Sequence, residues 1–293
     1  MTSLLGAKIK EMRKRFYISQ YDLSTGICTQ AYISKIEKGD VYPSADTLMK
    51  IADKLGISIS LLLDISNIPR HEYIIDVITQ IREAVYDRNY DLVKEIITSE
   101  KNNKFVNDAK FRQFLTWHEA ICFFYKDGNF NQAIKTLDNA IRLTSSKGKV
   151  YGEREVEILI SKGNLYTDNN NYEMALKTYK SALSHLKNIP RLENIYIPVR
   201  LYYNLSRCLR FSKDYSNSLI NCDLALKIGK KNKLLYLKGD LFIQKGLNYK
   251  ALNNFRDAIE NFKLAEIAFT LQDSEENIKF AQSKIKETSL LLS

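Results

Sequence analysis

An aromatic residue followed three positions later by a small or compact one recurs along most of this 293-residue chain, and it limits the fold more than any other feature. The pairs are Tyr90 with Val93, Phe130 with Ala133, Tyr172 with Ala175, Tyr215 with Ser218 and Phe255 with Ala258. Their aromatics are spaced by 40, 42, 43 and 40 residues. Seven positions after each aromatic stands Ile97, Leu137, Tyr179, Cys222 or Phe262, and ten after the last four stands Ala140, Ala182, Ala225 or Ala265. Steps of three, four and seven put these residues on one face of a helix. A matching helix lies upstream: Trp117 precedes Phe130 by thirteen, and Gly163 and Tyr166 precede Tyr172 as Gly246 and Tyr249 precede Phe255. Small residues at Gly163, Ser206 and Gly246 let the paired helices approach closely, and the aromatics fill the space between one pair and the next. Eleven glycines and four prolines in a chain that is 45% hydrophobic agree with a helix-rich, well-packed molecule.

The repeat resembles the tetratricopeptide motif, with units a little longer than its roughly 34 residues. That resemblance implies stacked helical hairpins forming a right-handed superhelix, whose concave groove binds peptides or proteins. The fold class expected is therefore all-α, with this superhelix as the C-terminal part.

The first 66 residues carry a different pattern. Ser19 and Thr29 are placed to cap two short helices, Asp22 stands where a capping-box acid would, and Gly39 and Pro43-Ser44 close the segment. Leu23, Ile27, Ile33 and Ile36 face inward at helical spacing, which leaves Gln30, Ala31, Tyr32, Ser34 and Lys35 outward. This is the spacing of a helix-turn-helix whose second helix enters a DNA groove. Net charge adds little, since residues 1–66 hold nine Lys/Arg against seven Asp/Glu and most of the chain's +10 lies beyond them. Placement matters more: Lys8, Lys10, Arg13, Lys14 and Arg15 on the first helix and Lys35 and Lys38 on the recognition helix suit phosphate contact. Arg13 can alternatively pair with Glu37. Ile51, Leu55, Ile57 and Leu61 to Leu63 complete a small core.

Chemistry is hard to place anywhere in the chain. Cys28, Cys122, Cys208 and Cys222 form no CxxC and have no histidine at metal spacing, so neither a metal nor a cofactor is expected. Cys28 and Cys222 read as inward-facing, Cys122 and Cys208 less so. His71, His118 and His185 are isolated, and no catalytic arrangement has usable spacing, so the chain is not read as an enzyme. No apolar run reaches the roughly 18–20 residues of a membrane span, and the start of the chain has no secretory pattern. A cytoplasmic protein that does not engage membranes is expected.

Taken together, the two parts resemble the PlcR-type regulators of the Gram-positive peptide-sensing group that includes Rap, NprR, PlcR and PrgX. The stretch carrying the likeness runs from Ile27-Cys28-Thr29-Gln30 through Ser34, Ile36-Glu37 and Gly39 to Val41-Tyr42-Pro43-Ser44, with a turn one residue shorter than is usual for helix-turn-helix proteins. The resemblance implies a homodimeric transcription factor that binds palindromic double-stranded DNA and is controlled by a short signalling peptide in the repeat groove. It implies three segments: a DNA-binding head at 1–66, a linker helix at 67–88, which reads equally as the first, degenerate repeat helix, and a degenerate repeat domain at 89–293. Gln20 then corresponds to a phosphate-contacting glutamine, and Thr29, Gln30, Ala31, Tyr32, Ser34 and Lys35 form the rest of the DNA-facing set. On the peptide side it implies Asn164, Asn204, Arg207 and Gln244 in the groove, with Asn204 matching a peptide-clamping asparagine and Tyr125 and Tyr203 lending specificity. Trp117 and Phe211 are further groove aromatics, Trp117 reading first as core. The alternative reading is a helix-turn-helix regulator gated by oxidation of Cys122 or Cys208 or by a protein partner.

Overall fold

The computed structural model describes residues 4–59, 62, 69–103, 107–145 and 151–291. Leu61, Leu63 and the boundary expected at residues 66 and 67 lie outside them. The described residues contain fifteen α-helices and no strand. They divide into two compact units between Gln80 and Ile81.

The first unit opens with α1 (Leu4–Arg15), α2 (Gln20–Ser24), α3 (Gln30–Lys38) and α4 (Ala45–Lys54). Each short helix starts on a residue chosen for its side-chain oxygen: Ser19 accepts from the Asp22 N–H at 3.0 Å, Thr29 from Tyr32 at 3.3 Å and Ser44 from Thr47 at 3.2 Å. Gly39, at φ +82°, ends α3 in the left-handed conformation that a side chain would oppose. Ile9, Met12, Leu23, Ile33, Ile36, Leu48 and Ile51 form the core of the unit. The expected partner of Arg13 is present. Its Nε and Nη2 donate to the two Glu37 oxygens at 2.6 and 3.0 Å, joining α1 to α3.

Helix α5 (Pro69–Tyr86) begins on a proline, which lacks only an N–H that the first turn would leave unpaired, and it spans the division between the units. The second unit continues through α6 (Tyr90–Glu100), α7 (Ala109–Tyr125), α8 (Phe130–Arg142), α9 (Glu153–Asp168), α10 (Tyr172–Lys187), α11 (Tyr196–Phe211), α12 (Tyr215–Lys231), α13 (Lys238–Ala251), α14 (Phe255–Thr270) and α15 (Glu275–Ser289). Helices α7/α8, α9/α10, α11/α12 and α13/α14 pack as hairpins, with α15 closing against α14. Every small or compact residue of the repeat (Val93, Ala133, Ala175, Ser218, Ala258) is buried, as are Ile97, Leu137, Tyr179, Cys222 and Phe262 seven after the five aromatics. A Cβ on Gly163 would lie 2.4 Å from the Tyr179 ring, and one on Gly246 equally close to Phe262, which is why these hairpins need glycine.

The aromatics themselves bridge successive repeats within the second unit, with Tyr90 stacked on Tyr125 at 5.1 Å, Phe130 against Tyr166 at 5.5 Å and Tyr172 against Phe211 at 6.2 Å. A regular device precedes each of them. Arg88, Gly128, Asn170, Lys213 and Asn253 all have positive φ, and the next residue (Asn89, Asn129, Asn171, Asp214, Asn254) caps the following helix. Each capping oxygen accepts an N–H three residues on, at 3.1–3.3 Å. Asparagine and aspartate suit this position because a short polar side chain reaches the free N–H groups of the new helix. The hairpin turn is thus written in the sequence as Asx before aromatic.

Candidate functional site

In the first unit the outward face of α3 is an open surface of mixed donors and acceptors. Gln30, Ala31 and Lys35 are exposed, Ser34 is half-buried, and Thr29 spends its hydroxyl on the cap. Tyr32 is half-buried and packs against the core of the unit, so its ring supports α3. Gln20 opens α2 and donates to Glu37 at 2.8 Å, which orients its amide and leaves its second N–H for another acceptor. Burial works to raise the Glu37 carboxyl, but hydrogen bonds from Arg13 and Gln20 outweigh it and hold the group below its usual range. The carboxylate therefore stays charged and fixes Gln20 relative to the helix behind it.

The second unit contains a cavity of about 510 Å³ between the first helices of its hairpins. Tyr86, Trp117, Tyr125, Ile160 and Tyr196 give it apolar walls, and Asn164 and Arg200 are among its polar lining. Trp117 is both buried and wall-forming, its indole N–H donating to Ser161 Oγ at 2.9 Å. His118, buried beside it, has Nδ1 2.8 Å from the Phe114 carbonyl. Desolvation, aided by Arg82 and Arg154, pushes its pKa down to about 3, so the ring is neutral and adds no charge to the cavity.

Two charged networks link the first helices of these hairpins, one sharing Tyr125 with the cavity wall and the other Glu157, Arg200 and Arg82. Asp168 on α9 accepts from the Tyr125 hydroxyl on α7 at 2.5 Å and from Arg207 on α11 at 2.8 Å. Glu157, also on α9, takes Arg200 of α11 and lies 3.9 Å from Arg82. Arg207 and Tyr125 therefore belong to one cluster, and sequence reading missed the acid that joins them. Spacing places Asp168 on the helix face of Asn164, four residues earlier, but not against its partners, which lie on other hairpins.

The remaining expected residues differ in environment. Asn164 lines the cavity and accepts from the Tyr179 hydroxyl at 2.7 Å, leaving its N–H groups available. Asn204 is only 6% exposed, not the solvent-facing residue its helical position suggests, and its amide makes no hydrogen bond among the described residues. Gln244, one repeat later and 4% exposed, has a buried Nε2 with no acceptor there. Burial lifts the half-buried Tyr203 hydroxyl to about 12, keeping it a proton donor. Thiol gating loses its footing. Cys122 and Cys208 are 2% and 0% exposed, and desolvation raises both thiols, Cys122 to about 11, so neither offers a reactive thiolate.

Residues 78–288 match the model of the RNPP family C-terminal domain, and residues 9–62 match a helix-turn-helix model. The chain belongs to the RNPP family. Among solved structures, that of Bacillus thuringiensis PlcR in complex with the peptide PapR7 and DNA is similar at a TM-score of 0.82 and 23% identity, over 94% of this chain and 98% of that one. Apo PlcR gives 0.65 at 23% identity over 96% and 98%. ComR from S. thermophilus in complex with DNA and its signalling peptide ComS gives 0.64 at 19% identity over 97% and 99%. No curated protein matches in sequence. Among the described residues no helix is long and apolar enough to cross a membrane, and no side-chain cluster is fit to hold a metal ion.

Proposed function

We propose that this protein is a sequence-specific transcriptional regulator of the PlcR type, whose DNA binding is controlled by a short signalling peptide held in the groove of the repeat unit. The observation that carries this reading is the buried Gln244 amide, whose Nε2 has no acceptor among the described residues, one repeat after a nearly buried Asn204 that makes no hydrogen bond there, in a family whose solved members include PlcR with PapR7 and DNA. A buried amide without a partner costs roughly 1–3 kcal/mol, which an extended peptide backbone, offering a donor and an acceptor per residue, can relieve. Asn164 and Arg207 extend the set, and Tyr125 and Tyr203 lend it specificity. In the head, Gln30 reads a base edge, Lys35 meets a phosphate, and Gln20, held by Glu37, meets another. One recognition helix spans too few base pairs for useful specificity, so the protein acts as a homodimer on a palindromic site. Its place of action is the cytoplasm, where the DNA is.

The test is to select the operator from random duplex DNA, then titrate the protein against it with and without a randomised heptapeptide library. Peptide-dependent operator affinity supports the reading. An operator affinity that no peptide alters, or the failure to select any operator, overturns it.

A further inference from the structure

Arg200, Tyr203, Arg207 and Arg210 follow one another on α11 at steps of three, four and three and so share one helix face. Three of the four have their chemistry accounted for: Arg200 is held by Glu157, Arg207 by Asp168, and Tyr203 is a neutral phenol. Arg210 is not. It is half-buried, its guanidinium lies 4.4 Å over the Phe211 ring, and it forms no ion pair or hydrogen bond among the described residues. Its Nε is buried without an acceptor, and so is that of Arg207 one turn earlier. The acids of the groove are committed elsewhere, since Glu157 faces Arg200 and Arg82 while Asp168 takes Arg207 and Tyr125. Asp240, half-buried on α13, forms no ion pair or hydrogen bond with Arg210 among the described residues, and Asp214 caps α12. Desolvation and the like charge of Arg207 both disfavour the charged form of Arg210. A desolvated guanidinium without an anion is costly, and two unpartnered N–H groups a turn apart require the same thing, an acceptor.

We infer that Arg210, together with the free Nε of Arg207, is where the groove reads a carboxylate of its ligand, so that the peptides this protein senses carry an acidic side chain or depend on a free C-terminus there. The planar, forked donor set of arginine suits a carboxylate and is poorly matched by a neutral amide. Arg210 is thus a specificity residue of the proposed peptide site, and the inference rests on that reading.

The experiment uses the full chain and two random heptapeptide libraries, one with free and one with amidated C-termini. Bound peptides are separated with the protein by gel filtration and identified by mass spectrometry, and the selected peptides are resynthesised. Wild type is expected either to enrich Asp or Glu at a fixed position in both libraries, or to retain peptides from the free-acid library alone. These two outcomes assign the carboxylate to a side chain or to the terminus. Changing that carboxylate to a carboxamide should weaken binding by about tenfold or more in the wild type. It should cost little further in Arg210→Met, while Arg210→Lys keeps part of the preference. Unchanged thermal unfolding of the Met variant separates this result from misfolding. The inference is overturned if selected peptides show no carboxylate preference, or if Arg210→Met weakens acid and amide peptides equally. Failure of both libraries to yield any bound peptide removes the proposed peptide control itself and this inference with it.

Discussion

Replacing Arg13 by Met tests how the head is held together, because it leaves the Glu37 carboxylate buried with one donor in place of three. Glu37 is 3% exposed and takes Arg13 Nε at 2.6 Å, Arg13 Nη2 at 3.0 Å and Gln20 Nε2 at 2.8 Å. Removing one member of a buried pair costs about 3–5 kcal/mol. The low end applies, about 3 kcal/mol, since Gln20 remains and the Arg13 side of the pair is 12% exposed, near enough to solvent for water to reach the carboxylate. The sign with pH is fixed by the same contacts. In the wild type the folded Glu37 value is depressed, so its stabilisation is complete above the unfolded value of about 4.3 and is lost as pH falls through the lower folded value. Without Arg13, burial raises the carboxyl instead, so the variant recovers stability relative to wild type as the pH is lowered from 7 toward 5. Trp117 is the chain's one tryptophan and belongs to the repeat unit, so its fluorescence reports that unit while far-ultraviolet circular dichroism reports both. Urea unfolding should show a lowered head transition by dichroism with the fluorescence midpoint unmoved. The further change Glu37→Leu should restore much of the loss. A single variant as stable as wild type, or a double variant no better than the single, would refute the argument.

Three other outcomes follow from the structure. Gly163→Ala drives a methyl into the buried Tyr179 ring and should lower the repeat unit's stability by about 1–3 kcal/mol, read from the Trp117 fluorescence midpoint. Gln30→Ala should relax sequence preference on operator and scrambled duplexes, whereas Lys35→Ala should weaken both alike and reduce the salt slope by about one. Asn204→Ala removes an amide that makes no hydrogen bond, so its unfolding midpoint should stay near wild type while affinity for a selected peptide falls roughly tenfold by calorimetry.

The repeat was legible because its signal is local: a buried small or compact residue three after each aromatic, and a buried alanine ten after the last four, follow from one helix packing on the next. The turn was equally legible and overlooked. Asn or Asp before every aromatic caps the second helix of each pair, and only Gly128 among the positive-φ residues before those caps is a glycine, so a search for glycine turns passes over Arg88, Asn170, Lys213 and Asn253. The groove was less accessible from sequence. Asp168 meets Tyr125 across 43 positions and Arg207 across 39, pairings fixed by the stacking of hairpins and invisible to spacing within one helix. The same stacking explains the cysteines: Cys122 and Cys208 look ambiguous on single helices yet are covered by the neighbouring hairpin, their Sγ atoms 3.7 and 3.8 Å from the carbonyls of Tyr90 and Tyr172. Asn204 differs in exposure: its helical position reads as solvent-facing, while the packed helices leave the residue only 6% exposed.

Coupling between groove and head is the central claim, and linkage provides its most direct measurement. Operator affinity is measured by fluorescence anisotropy with and without a saturating selected peptide, and affinity for the same peptide is measured by calorimetry with and without operator. A regulator of this kind must change both affinities by the same factor, about 5- to 150-fold for a typical coupling. Peptide binding that leaves operator affinity unchanged, measured on a protein that binds both, would contradict the account.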